Sequence, residues 1–197
     1  MGVTFLRTLL RARVLGARPR GGPSGVIVAA NHQSYIDPVL VQFAALPGQI
    51  TFLMTEAFFD IPVATLYFRA AGARPIREGG PSVGAMRTAL QVLGEGRTIC
   101  MFPEGGITRD GRMREGQRGV ARLARRTGAA VVPMGIRGTR YVISPAQPMP
   151  RLHPVEIRIG EPMLYDESED REGEQRFTDR LMAEIHRLAY GQESQEK

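Results

Sequence analysis

Short apolar runs alternate with stretches of helical periodicity along almost the whole chain. Runs bounded by Gly, Pro or charged residues predict strands near 26–30, 50–54, 73–76, 97–102, 130–136 and 155–159. Apolar positions recurring every three or four residues predict helices at 38–46, 61–71, 82–93 and 117–127, and a last one over about 175–190. Strands and helices in that order predict an α/β fold: a single domain whose mixed, largely parallel sheet is flanked by helices. Residues 137–153, with Pro145, Pro148 and Pro150, predict a long loop.

The first twenty residues follow a different pattern. Val3, Phe5, Leu6, Leu9, Leu10 and Val14 interleave with Arg7, Arg11 and Arg13, and no acid occurs before Arg20. This spacing predicts a basic amphipathic helix able to lie in a headgroup layer, although a helix docked on the core fits it too. The chain then divides into 1–20, the basic helix; 21–165, the core; and 166–197, an acidic segment with a terminal helix. No run reaches the 18 apolar residues of a membrane span, since 36–46 is broken by Asp37 and Gln42. A secretory signal would need a longer uncharged core, and myristoylation would need Ser or Thr where Leu6 stands.

Composition narrows the classes. A chain of 197 residues with 43% hydrophobic residues suits one compact domain and excludes a disordered one. Cys100 is the single cysteine, which excludes an internal disulfide. With three scattered histidines it also makes no zinc site of Cys/His type. Residues 166–197 hold ten acids and five bases, so residues 1–165 keep 21 bases against 10 acids, a net +11. Such a field attracts nucleic acid, anionic lipid, phosphorylated substrates or acidic carrier proteins alike.

Candidate chemistry sits where the first predicted strand ends, in Asn31-His32-Gln33-Ser34-Tyr35-Ile36-Asp37-Pro38. Five residues apart on one helix, His32 and Asp37 would point about 140° apart and could not meet. Across a strand-to-helix turn they can. Asp37 at the N-cap and Pro38 at the first helical position would leave His32 in the loop, at the sheet edge where α/β proteins bind ligands. Asp37 would then hold the imidazole Nδ1 proton, leaving Nε2 to take a proton from a substrate hydroxyl. Asn31, the only Asn, suits the strained turn such a junction needs. The alternative is a capped helix start with a surface His. After the fourth predicted strand comes Phe102-Pro103-Glu104-Gly105-Gly106-Ile107-Thr108-Arg109. Its glycines expose backbone N–H groups and Arg109 adds a cation, a combination able to hold a phosphate or an oxyanion, or else a plain Gly-rich loop.

Together, His32-x4-Asp37 and Phe102-Pro103-Glu104-Gly105 resemble the motifs of the glycerolipid acyltransferase family, which includes 1-acylglycerol-3-phosphate acyltransferases. Gly72-Ala73-Arg74-Pro75-Ile76-Arg77 and Val131-Val132-Pro133-Met134-Gly135-Ile136 are similar to two weaker family blocks, and Arg118-Gly119 to a basic step after the third. The likeness spans residues 26–140. It implies His32 and Asp37 as the catalytic pair; Arg74, Arg77, Glu104, Gly105, Gly106, Arg109 and Arg118 as acceptor or phosphate contacts; and Asn31, Ser34 and Pro103 as motif support. It implies acyl transfer from acyl-CoA or acyl carrier protein to a lysolipid hydroxyl in phospholipid biosynthesis, without metal or redox cofactor, at the inner face of the cell membrane. Family members acting on lysophosphatidate carry Thr and Arg after F-P-E-G, whereas this chain has Gly106 and Ile107. An acceptor such as a lyso-ornithine lipid therefore stays open.

Other readings weigh less. Gly80-Pro81-Ser82-Val83-Gly84, followed by Asp110 and His153, matches a hydrolase order, but no strand enters the turn and Ser82 fits a helix cap. Cys100, mid-strand, reads as a packed thiol; Ser34 as a turn residue; His153 and His186 as surface residues. Seven Arg between 109 and 126 form either a solvated face or a platform for acidic partners. A non-catalytic basic module would explain the charge, but 7% aromatic residues and no Trp give nucleic-acid bases little to stack on, so no nucleic-acid partner is expected.

Overall fold

The computed structural model describes residues 10–19, 22–55, 74–76 and 83–191. In chain order these form β1 (Arg13–Leu15), β2 (Val26–Ala30), α1 (Asp37–Ala45), β3 (Ile50–Thr55), β4 (Arg74–Ile76), α2 (Val83–Gly94), β5 (Thr98–Met101), α3 (Gly119–Thr127), β6 (Ala130–Arg137), a 3-10 turn (Thr139–Tyr141), β7 (Glu156–Ile159) and α4 (Arg171–Tyr190). The described strands make one seven-stranded sheet in the order β1-β7-β6-β2-β5-β3-β4. Neighbours run parallel except β6 and β7. The expected α/β architecture with a mixed, largely parallel sheet is what forms.

Every residue of β2 is buried, because the strand is central and helices cover both its faces. Val26, Val28 and Ala30 pack with Leu40, Val41 and Ala44 of α1. Ile27 and Ala29 face the other way, toward Leu93 of α2, Leu123 of α3 and Phe177, Leu181 and Ile185 of α4. Each fully buried Leu, Ile or Phe here contributes about 1.5–3 kcal/mol, which is what holds short strands in register. Gly135 in β6 lies directly under α4: a methyl group there would run into the backbone of Leu188 and Ala189. Lacking a side chain, it lets the last turn of α4 rest on the strand.

Register decides where chemistry can occur. Ala29 of β2 pairs with Met101 of β5, and Ala30 with Met134 of β6, all parallel. The segments after β2, β5 and β6 therefore leave the sheet at one edge.

Three expectations need correction. Arg13–Leu15 is an edge strand beside β7, not part of a helix; residues 1–9 lie outside those described, as does the expected helix at 61–71. Leu10 and Ala12 are buried while Arg11 and Arg13 are exposed, the alternation of a strand. Asp37 is not the N-cap of α1, a place taken by Ile36; Asp37 is the first helical residue and Pro38 the second. The final helix starts at Arg171, capped by Asp170 accepting from the Gly173 amide at 2.6 Å.

Candidate active site

His32 and Asp37 meet. The imidazole Nδ1 lies 2.9 Å from Asp37 Oδ2, with the His32 side chain 15% exposed and that of Asp37 fully buried. A carboxylate only accepts, so the proton of this contact belongs to Nδ1 and Nε2 keeps its lone pair. The same Oδ2 also accepts the backbone N–H groups of Gln33 and Ser34, each at 2.7 Å. Asp37 thus reaches back into the turn before its helix instead of capping the helix. Three donors converge on one oxygen, which fixes the carboxylate and, through it, the imidazole plane. Phe102 stacks on that plane, ring centroids 4.0 Å apart and 16° from parallel.

Glu104 ties two loops together. Its Oε1 accepts from the His32 amide at 2.8 Å and its Oε2 from the Arg114 amide at 3.0 Å. Burial pushes its carboxyl above the usual carboxylate range, and those two amides together with the nearby His32 pull it partly back. Being buried and committed to two backbone donors, Glu104 organises the loops and is not free to contact an acceptor. The Thr108 amide donates to the His32 carbonyl at 3.1 Å, and the Gln117 amide to that of Pro103 at 2.8 Å. Residues 102–117 thereby wrap the His32 turn.

The remaining candidates separate. Asn31 is not a strained turn residue, having no positive φ; its buried side chain brackets Ile136, accepting from its N–H at 2.7 Å and donating to its C=O at 2.9 Å. It extends the pairing of β2 with β6 by a side-chain rung. Ser34 Oγ donates to the Ile143 carbonyl, so that hydroxyl is tied to the loop after β6. The Gly105 N–H closes a turn on the Phe102 carbonyl at 3.0 Å, so it is not open to an anion; Gly106 N–H has no hydrogen bond among the described residues. Arg109 is exposed, on the rim of a depression of about 510 Å³ shared with Arg112, Met113 and Arg114. Arg118 is the N-cap residue of α3. Arg74 is placed by its backbone in β4, while Arg77 and Ser82 lie outside the described residues. Of the seven clustered Arg, Arg122 and Arg125 pair with buried Glu174 of α4 at 3.3 and 3.2 Å, so that face is partly internal. Cys100 is buried, and burial raises its thiol pKa far above the ordinary range, as expected of a packed cysteine. A larger depression, about 610 Å³, lies between Pro47, Gln49 and Arg97 at the opposite sheet edge, away from these groups.

Sequence reasoning missed one participant. Gln33 Nε2 donates to the Gly111 carbonyl at 3.0 Å and to the hydroxyl of Tyr190, in the last turn of α4. Burial pushes the Tyr190 phenol up to about 12. The amphipathic period of α4 gave no sign of this contact; the position of Gln33 beside His32 was the available clue.

Residues 11–137 match the profile of the Acyltransferase family. The chain is similar to the 1-acyl-sn-glycerol-3-phosphate acyltransferase LPAT1, chloroplastic, of Arabidopsis thaliana, 29% identical over 119 residues that make up 59% of this chain and 33% of the relative. It is 24% identical over 140 residues to the 1-acyl-sn-glycerol-3-phosphate acyltransferase of Bacillus subtilis, covering 71% of this chain and 67% of that one. The match spans about a third of the length of the plant relatives. The crystal structure of the 1-acyl-sn-glycerophosphate acyltransferase PlsC from Thermotoga maritima has the same fold, with a TM-score of 0.71 at 24% identity over 94% of this chain and 76% of that chain. The stretch matched by the profile carries β1 to β6 with His32, Asp37 and Glu104, and by that match the chain belongs to the Acyltransferase family.

Proposed function

We propose that this chain moves a fatty acyl group from a thioester, acyl-CoA or acyl carrier protein, to the hydroxyl of 1-acylglycerol-3-phosphate. The observation carrying this reading is the His32–Asp37 pair, oriented by buried hydrogen bonds at the edge where three strands end. His32 Nε2 takes the acceptor hydroxyl proton as that oxygen attacks the thioester carbonyl carbon; the C–S bond then breaks and the thiolate leaves with the proton from the imidazolium. The open Gly106 N–H is suited to the oxyanion formed between these steps. The balance is closed without a metal or redox cofactor. No acyl-enzyme enters: Ser34 Oγ is engaged and Cys100 is a buried thiol whose thiolate is disfavoured.

The names of the relatives support a lysophosphatidate acceptor. Gly106 and Ile107, at positions where a phosphate-binding pair is expected, favour keeping a lysolipid without a phosphomonoester, such as a lyso-ornithine lipid, as the second reading. No helix among the described residues is long and apolar enough to cross a membrane. The protein works peripherally at the inner face of the cell membrane, held by basic residues on anionic lipid.

The test is direct. Purified protein is incubated with radiolabelled acyl-CoA or acyl carrier protein and a panel of lysolipids, and the labelled product is identified. Initial-rate lines that intersect are expected for direct transfer. A labelled adduct on the protein that the acceptor discharges would refute it, and no product with any acceptor would refute the function.

A further inference from the structure

The proposed acceptor brings a phosphate to a site whose F-P-E-G segment has Ile107, not a cation, directly after Gly106. The nearby arginines divide by what they already do. Arg114 Nη2 donates to the Ile107 carbonyl at 3.3 Å, and Arg109 and Arg112 are exposed on the loop's outer rim. Arg140, which no sequence motif singled out, is different.

Arg140 belongs to the 3-10 turn directly after β6. Parallel pairing with β2 brings it to the edge where His32 leaves the sheet, and fully buried Thr139 anchors the turn beside it. The Arg140 guanidinium lies against Gly111, so closely that a methyl group there would overlap it. Gly111 has a φ of +77°, so glycine is needed on both counts. The carbonyl of Gly111 accepts the side chain of Gln33, the residue after His32. Two contacts thus join the imidazole's turn to the guanidinium through Gly111. The charge of Arg140 is also felt at Tyr190, the other partner of Gln33. Among the described residues Arg140 makes no ion pair and no hydrogen bond; its guanidinium carbon stands 6.0 Å from the Tyr141 ring centre. A half-buried guanidinium held against backbone, with its donors unspent, is a fork ready for phosphate oxygens.

We infer that Arg140 binds a substrate phosphate at this site. The ligand class is a phosphomonoester or phosphoanhydride, from the acceptor's glycerol phosphate or from CoA. The inference rests on the proposed acyl transfer for its substrate, but its test does not need turnover.

Glycerol 3-phosphate and CoA are titrated separately into the wild-type protein and the variants Arg140→Ala, Arg140→Gln and Arg140→Lys, with binding followed by NMR. The folded variants are expected to bind one of the two probes about ten- to a hundredfold more weakly, Lys less affected than Gln or Ala. Loss of glycerol 3-phosphate assigns the fork to the acceptor, and acceptor KM should rise with donor KM unchanged; loss of CoA assigns it to the donor, with the reverse. Arg140→Gln keeps most of the side-chain stem, so a folding defect in Arg140→Ala does not end the test. Equal binding of both probes by wild type and Arg140→Gln, or binding of neither by wild type, overturns the inference. Arg140-dependent binding by a protein that acylates no lysolipid would leave the inference standing and remove the proposed function.

Discussion

The His32 turn and the loop at 105–114 stand side by side at one sheet edge and are built on opposite plans. In the turn, Asp37 gathers an imidazole and two amides on one buried oxygen, and Asn31 and Ser34 fasten it to the β6 side. In the loop, Arg109 and Arg112 are exposed and carry no ion pair among the described residues. A proton acceptor must be held within tenths of an ångström, and buried hydrogen bonds do that. A headgroup needs charge and room, which exposed arginines supply without fixed geometry. The difference teaches that, under the proposed function, catalytic geometry would reside in the buried turn, while the exposed loop arginines are free to change without disturbing it.

Breaking the turn should have the largest effect. His32→Ala is expected to cut turnover by about 10²- to 10⁴-fold while the protein stays folded, read from steady-state rates and circular dichroism. Asp37→Asn should follow at about 10²-fold or more, because a neutral amide can take the place of the accepting oxygen but not of the charge that stabilises the imidazolium. Wild-type turnover from folded His32→Ala would end the comparison.

Glu104 joins the two regions and should come next. In Glu104→Gln the amide NH2 faces a backbone N–H where a carboxylate oxygen accepted one, so one bridge is lost at roughly 1–3 kcal/mol of stability. The pH dependence has a definite sign. The folded carboxyl holds its proton to higher pH than the unfolded one, so stability falls as pH rises from the ordinary Glu value through the folded value. Melting temperatures from pH 4 to 7 should show this fall in wild type and not in Glu104→Gln; parallel curves would contradict it.

Tyr190→Phe removes one acceptor of Gln33 from outside the turn, and turnover should drop by up to about tenfold with substrate KM unchanged. Arg109→Ala should be the mildest, shifting acceptor KM by no more than a fewfold and less at high salt, since exposed charges are screened. An Arg109 effect exceeding that of Tyr190 would place specificity in the outer rim and blur the contrast between the regions.

The strands were legible because central strands of Val and Ile are apolar along their whole length, whatever their partners. Edge strand β1 was not. The run into it, Leu10 to Val14, alternates Arg with apolar side chains, and in so short a run the two-residue period was absorbed into an apparent helical one. That His32 and Asp37 could meet was legible from the strand-to-helix junction, and their pairing as a catalytic couple from the family resemblance. The backbone donors that Asp37 accepts from were not, because an aspartate at a helix start serves its own first turn or the preceding loop equally well by sequence. Gly105 and Gly106 read alike, yet one amide closes a turn and the other is open. Arg140 and Tyr190 reach the site through β6 and α4, and only three-dimensional register puts them there.

The contact of Gln33 with Tyr190 joins residues 157 positions apart. On the ribosome, the His32–Asp37 pair is therefore made long before the helix that buttresses its turn. At common elongation rates the gap is roughly ten to thirty seconds. During it a nascent chain already holds His32, Asp37 and Glu104 but cannot close the long loop that sets Gln33. Activity should therefore switch on only once the α4 helix has emerged and docked over Gly135.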